Sequence, residues 1–384
     1  MKISILLPYK ENFSPSYAGA VSLFINDTLK FSKFKKNITV YGFTDYKKKF
    51  KNKYINIETK KKLFQSQNKD YVNKFIEIEK KESSSIIELH NRPIYLKYLV
   101  YELQDKNYIL YFHNDPLSMS GSKTINERIF LLNNSYRIIF NSNWSKKRFL
   151  QSMKSDAINS EKLLVINQSA TRNKINFKRK KKIITFVGKL NKSKGYDLFG
   201  KAVVKILKNY KNWSAYVIGD EPRDKLDFYH NRLFKLGFKE HKDVINIYKK
   251  TSIAVVCSRW EEPFGRTSLE AAANGCAVII SNKGGLPETI TNGKILKNLT
   301  VREIYNNIKD LIINPKVRKN YQLLSYKNFY LSHQYVSKQI DDVRNNLLKI
   351  NKPNIFIETS KLRILHITNF NERHNGRLFF NTGR

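Results

Sequence analysis

Residues 262–275 read Glu262-Pro-Phe-Gly-Arg-Thr-Ser-Leu-Glu270-Ala-Ala-Ala-Asn-Gly275. Pro263 and Gly265 are turn formers, the residues from Arg266 onward are compatible with a helix, and Gly275 suits the left-handed position that ends one. The stretch therefore predicts a loop carrying Glu262 and a helix carrying Glu270, with seven residues between the two carboxylates. The first turn of such a helix presents N–H groups without intrahelical partners, which suits an anion. The two carboxylates beside it can accept hydrogen bonds from a ligand rich in hydroxyls. A bare pair of glutamates at this spacing also fits a solvated surface helix, so its meaning rests on its surroundings.

Those surroundings alternate between apolar strand-like runs and amphipathic helical stretches, the pattern of parallel α/β units. In the first half, strands are expected at 2–8, 38–43, 85–90, 108–113 and 137–141. In the second half they are expected at 183–188, 213–219, 243–247, 253–257 and 276–281. Helices are expected near 19–33, 91–103, 143–153, 195–209, 224–236, 266–274 and 301–313. Gln168 to Lys182 is polar, basic and aperiodic, and reads as a hinge between two Rossmann-like halves. A chain of 384 residues is long enough for two cores, and the cleft between two such halves is a favoured ligand site.

Three further stretches give the Glu262–Glu270 segment its context. They are Val187-Gly-Lys-Leu-Asn-Lys-Ser-Lys-Gly-Tyr-Asp197, Val217-Ile-Gly-Asp-Glu-Pro222 and Ser281-Asn-Lys-Gly-Gly-Leu-Pro-Glu288. Together, and in this order, the four segments resemble the signature of retaining glycosyltransferases of family 4 (group 1). The resemblance is dense over roughly residues 183–295 and thinner before. It implies the GT-B fold, an α/β architecture of two Rossmann-like parallel-sheet domains facing a central cleft. Residues 1–167 would then form the acceptor-side domain, joined by a returning helix near 330–350, and residues 168–330 the domain that binds a nucleotide sugar.

The resemblance also implies roles. Lys189 and Lys194, just after a buried strand, would contact the diphosphate of the donor. The family usually carries Arg at the first of these positions, so Lys189 keeps the charge and loses the bidentate fork. Glu270 would accept from ribose hydroxyls, and Glu262 would meet the transferred sugar with help from the Phe264 and Gly265 N–H groups. His113, at the end of Tyr108-Ile-Leu-Tyr-Phe-His113, would lie at the cleft edge, with His90 on a neighbouring strand and Glu288 as lesser candidates. Gly19 would let backbone N–H groups approach a phosphate or sugar, although the family often has a Gly-Gly pair where this chain has Ala18-Gly19. Glu262, His113 and Lys194 are thus the catalytic candidates. No Asp-x-Asp motif stands in a suitable setting, so no metal and no cofactor is expected. The implied reaction is front-side attack by an acceptor hydroxyl, with retention of configuration and the departing diphosphate as base. The substrate would be a UDP- or GDP-sugar, and the acceptor a glycan or glycolipid of bacterial surface polysaccharide or lipopolysaccharide.

The net charge of +39 admits three origins: a compositional bias toward Lys, Asn, Ile, Tyr and Phe, attraction to an anionic membrane face, or neutralisation of nucleic-acid phosphates. Lysine-rich clusters lie at 47–49, 60–62, 146–148 and 178–182. No apolar run reaches the roughly 18 residues of a spanning helix, and Met1 to Pro8 reads as a first strand instead of a leader. Cys257 and Cys276 sit in apolar contexts and read as reduced, packed thiols. A cytoplasmic protein, peripheral on the inner membrane face, is the expectation. Arg363-Ile-Leu-His-Ile-Thr-Asn369 repeats the character of residues 2–8, so 352–384 reads either as a loose tail or as the opening of a truncated second unit. The alternative functions are a nucleotide-sugar 2-epimerase on the same fold and a basic nucleic-acid-binding protein.

Overall fold

The computed structural model of the chain describes residues 2–59, 66–154, 157, 159–224 and 226–348. Lys60–Lys62 and the segment 352–384 lie outside the described residues.

Two parallel sheets organise the molecule. The first has seven strands: β1 (Ile3–Leu6), β2 (Ile38–Gly42), β3 (Tyr54–Asn56), β4 (Ile86–His90), β5 (Asn107–Phe112), β6 (Arg137–Phe140) and β7 (Leu163–Val165). Their order is β3-β2-β1-β4-β5-β6-β7. The second holds β8 (Ile183–Val187), β9 (Ser214–Ile218), β10 (Leu233–Lys235), β11 (Ile253–Val256), β12 (Ala277–Ser281) and β13 (Lys294–Leu296), ordered β10-β9-β8-β11-β12-β13.

Parallel sheets need cover on both faces, and the alternation along each strand supplies two apolar surfaces. In the first sheet Ile3, Ile5 and Val40 pack with Phe24 and Ile25 of α1 (Ala20–Leu29). On the other face Leu6, Tyr41 and Leu89 meet Phe75 of α2 (Gln67–Glu82), Leu96 and Leu99 of α3 (Ile94–Glu102) and Leu131 of α4 (Ile125–Asn134). A reciprocal Thr124–Glu127 capping box fixes the start of α4. Helix α5 (Asn143–Leu150), capped by the Ser142 side chain, follows β6. In the second sheet Ile184 and Phe186 pack on Phe199, Val203 and Ile206 of α6 (Tyr196–Asn209). The opposite face carries Val244, Ile245 and Tyr248 of α7 (His241–Lys250) and Ala271 and Ala272 of α8 (Arg266–Ala273).

Three helices follow the second sheet: α9 (Val301–Ile313), α10 (Pro315–Lys327) and α11 (His333–Leu348). Helix α11 returns to the first sheet, where Val336, Ile340 and Val343 join the core beneath α1. A buried ion network holds it there. Arg344 grips Glu88 of β4 with two bonds of 2.7 and 2.8 Å, and Asp341 accepts from the Ser32 hydroxyl at 2.7 Å.

Two expected elements are different in the structure. The expected strand 243–247 is the middle of α7, because Val244, Ile245 and Tyr248 share one helical face. Among its described residues, the expected helix 224–236 is loop followed by β10, whose backbone pairs with β9. Both cysteines are free and buried. The lysine-rich stretch 178–182 is partly structural, since the Lys180 ammonium donates to the Tyr248 and Asn274 carbonyls at 2.9 and 2.6 Å.

Candidate functional site

A cleft of about 240 Å³ opens between the two sheets, at the carboxyl ends of their strands. From the first sheet it receives His113 after β5 and Asn141 after β6; from the second it receives Gly188 after β8 and Ser258 after β11. The loop Glu262–Gly265 and the first turn of α8 complete one wall, and Lys194 stands within it.

The loop after β8 owes its shape to Gly195. This residue has φ +74°, and a Cβ there would lie 1.9 Å from the Cys257 carbonyl oxygen, so the backbone comes closer to β11 than any other residue allows. That approach sets Lys194 against Glu262, with ammonium and carboxylate oxygen 2.5 Å apart. The Glu262 loop is itself seated on Gly284 and Gly285. Gly285 N–H donates to the Glu262 carbonyl at 2.6 Å, and a Cβ on Gly284 (φ +57°) would strike that same carbonyl at 2.1 Å. Gly265, at φ +117°, begins α8. Across the domain boundary the Ser142 hydroxyl donates to the Pro263 carbonyl at 2.5 Å.

Glu270 sits behind this wall, buried inside α8. Its Oε1 accepts from Arg266 Nε at 2.6 Å, one helical turn earlier, and stands 2.7 Å from His241 Nε2. Burial pushes its carboxyl pKa up, but the Arg266 charge and the His241 contact outweigh burial and hold it below the usual range. Arg266 also donates to Asp27 of α1 at 3.1 Å, so one guanidinium spans both domains.

His113 is almost fully buried, and its two nitrogens have distinct neighbours. Nε2 is 2.9 Å from His90 Nδ1, and Nδ1 is 3.5 Å from the Gln168 amide nitrogen. Burial pushes the imidazole pKa down to about 3. His90 is pushed well down by its own burial and then by the neighbouring imidazole. Both rings are therefore neutral at physiological pH, and His90 acts as a partner of His113 behind the cleft wall.

The structure thus brings Glu262, Lys194, Phe264, Gly265 and His113 around one cavity. Lys189 is exposed on the following loop and is not part of the lining. Glu288 lies across the domain boundary: its carboxylate accepts from the Asn143 and Trp144 N–H groups at 2.7 and 2.9 Å and caps α5. At Gly19 an anion does occupy the start of α1, and it is the chain's own Glu11. Glu11 accepts from Ser22 N–H at 3.0 Å, and its carboxylate fills the space a Gly19 side chain would take.

Arg266, His241, Asp27 and Gln168 were missed by the sequence reasoning. Only the four-residue spacing of Arg266 and Glu270 could have signalled one of them.

Residues 167–327, which hold the second sheet, Lys194, Glu262 and Glu270, match the family described as glycosyl transferases group 1. The carboxy-terminal half of this chain belongs to the group 1 glycosyl transferases. It is 34% identical over 127 residues to spore coat protein SA of Bacillus subtilis, a match covering 30% of this chain and 34% of that protein. It is 31% identical over 123 residues to the lipopolysaccharide core biosynthesis mannosyltransferase LpsB of Rhizobium meliloti, covering 29% and 35%. The matched stretch thus spans about a third of the length of these relatives. The whole fold is similar to that of Anabaena HepE in complex with UDP, with a TM-score of 0.71 at 19% identity, covering 91% of this chain and 100% of that one. A glycosyltransferase from Rickettsia africae superposes with a TM-score of 0.69, also at 19% identity, over 91% and 99%. The architecture of the chain is that of the GT-B fold. Among its described residues no helix is long and apolar enough to cross a membrane.

Proposed function

We propose that the chain moves a sugar from a nucleotide diphosphate donor to a hydroxyl of a glycan or glycolipid, with retention of configuration and without a metal ion. The observation that carries this reading is the Lys194–Glu262 pair, 2.5 Å apart, beside the first turn of α8 in a cleft between two parallel sheets. Departure of a nucleoside diphosphate builds negative charge, and a fixed ammonium with helix N–H dipoles stabilises it. Lys194 exchanges Glu262 for the diphosphate when the donor enters. Glu262 then turns its carboxylate to the hydroxyls of the sugar. Lys189 approaches the same phosphates from the exposed loop. Oε1 of Glu270 is held by Arg266 and His241, so Oε2 meets the ribose. Neutral His113 offers its Nδ1 edge to the sugar or the acceptor, since a ring with its pKa pushed down to about 3 is a poor proton carrier at neutral pH. The solved complex of HepE with UDP supports a UDP-sugar as the donor. The mannosyltransferase LpsB supports a role in surface glycan assembly.

The test is a thermal-shift series with UDP, GDP, ADP and their sugars, followed by product analysis. One nucleotide raises Tm selectively, because a ligand at about 100 times its Kd adds roughly 2.7 kcal/mol of stability. Turnover of the sugar nucleotide without an acceptor, giving its 2-epimer, would replace the transferase with an epimerase. No shift with any nucleotide, together with salt-sensitive retention of DNA or RNA, would replace it with a nucleic-acid binder.

A further inference from the structure

A second cavity, of about 520 Å³, lies in the amino-terminal domain at the carboxyl end of β4. Among the described residues its lining includes Arg92 and Lys69 and no carboxylate, together with the polar groups Asn68, Asn114 and Ser118. Asn91-Arg92-Pro93 builds it. Asn91 takes the left-handed conformation at φ +55°, which Asn tolerates better than most residues, and Pro93 restricts the residue before it. The Asn91 side chain accepts from the N–H groups of His113 and Asn114 at 2.7 and 3.0 Å. The turn that presents Arg92 is therefore tied to the loop that forms the first cleft. Among the described residues Arg92 forms no ion pair; its guanidinium donates to the neighbouring Asn91 carbonyl at 3.1 Å.

Shared lining residues set this cavity between two others. Asn114 lines both it and the first cleft. At the other end Pro93 and Ile94 line both it and a groove of about 270 Å³ between α3 and α4. That groove is mostly apolar, with Ile94, Tyr101, Phe130 and Leu131 in its walls. Tyr101 is half exposed, and Ile125 and Ile129 of α4 are exposed nearby on the same helix pair. The sequence of surfaces is then hydroxyl-binding cleft, cationic chamber, apolar groove.

We propose that the acceptor is an anionic amphiphile. Its phosphate is read by Arg92 and Lys69, its alkyl chain lies between α3 and α4, and its hydroxyl reaches past Asn114 to the sugar held at Glu262. The assignment of the first cleft to sugar transfer is the reading this rests on. Charge complementarity selects the phosphate, since guanidinium and ammonium stand in a chamber whose described walls hold no carboxylate. Adjacency of the cationic chamber and the apolar groove, which share Pro93 and Ile94, selects the chain, because a soluble sugar phosphate would leave the α3–α4 groove uncovered.

The experiment is calorimetric titration of the full chain with decyl phosphate, decyl β-glucoside and inorganic phosphate, each below its micelle threshold, with UDP binding measured in parallel. Decyl phosphate should bind at least tenfold more tightly than decyl β-glucoside. The double variant R92Q/K69Q should lose tenfold or more for decyl phosphate, with decyl β-glucoside and UDP unchanged. Tyr101→Glu should weaken decyl phosphate and leave inorganic phosphate as it was. Equal binding of decyl phosphate by the wild type and R92Q/K69Q would overturn the proposal. Equal affinity for inorganic and decyl phosphate, insensitive to Tyr101→Glu, would overturn the amphiphile in favour of a soluble phosphorylated acceptor. Absence of binding by UDP, and by GDP and ADP in the thermal-shift series, with decyl phosphate binding intact would sink the donor reading instead, so the two failures are distinct.

Discussion

In the proposed reaction Lys194 and Glu270 act on the donor by different means, and their variants should separate. Lys194 lines the cleft, so under the proposed function Lys194→Ala removes charge at the leaving group. Removing one such contact costs roughly 10–1,000-fold in kcat/KM, about 1.4–4 kcal/mol. The same range is expected for Glu270→Ala, with most of the loss in donor KM if ribose binding is uniform between ground and transition state. Near-normal steady-state kinetics in both would reject the site. His113 makes a complementary statement about pH. Since its pKa is pushed down to about 3, it adds no acidic limb to a rate profile between pH 5 and 9. The motif had made Glu262, Lys194 and Glu270 legible as a group. It could not show that Lys194 pairs with Glu262, or that Glu11 fills the space at Gly19, because those partners meet only across turns and domains.

Elements were legible in proportion to their length and burial. Every central strand was found. The unforeseen strands β3, β7, β10 and β13 are the four sheet edges, each three residues long. Three residues are too few to display a period, and short edges are a common guard against aggregation. Helix α7 was mistaken for a strand because its apolar residues fall close together in sequence and its polar face faces solvent. The Gly195 turn gives an element-level prediction. Gly195→Ala combines a positive φ with a Cβ placed 1.9 Å from the Cys257 carbonyl, so the loop must shift. Urea denaturation should show a loss on the order of 2 kcal/mol or more. Gly237, also at positive φ (+66°) but with open space around its Cβ position, should lose less on substitution by Ala.

At the scale of the molecule, α11 is latched to the first sheet by a buried charge network. Arg344→Ala leaves Glu88 buried and unpaired, which typically costs about 3–5 kcal/mol. The double change Arg344→Met and Glu88→Leu should recover much of that loss in chemical denaturation; no recovery would show that the network matters through something other than desolvation. Acid should act through buried histidines. Burial, opposed by Asp27, pushes the His333 pKa down to about 4, while the unfolded ring titrates near 6.5. A group depressed in this way contributes stability above its unfolded pKa and loses it as pH falls toward the folded one. His333→Gln should therefore flatten the decline in Tm between pH 6.5 and 4.

The order of apolar runs and the turn residues within this chain determined its two parallel sheets and the neighbourhood of its cleft, because strand periodicity, helix length and glycine conformation are local properties. Tertiary structure alone decided how the cleft is wired. Arg266 reaches Asp27 from 239 residues away, Glu288 caps a helix 145 residues earlier, and Arg344 grips Glu88 across 256 residues. The cationic chamber beside Arg92 likewise exists only because β4, β5 and the start of α2 end at one edge of the sheet. Charge and hydrogen bonding act through space at a few ångströms, and sequence separation carries no record of that distance.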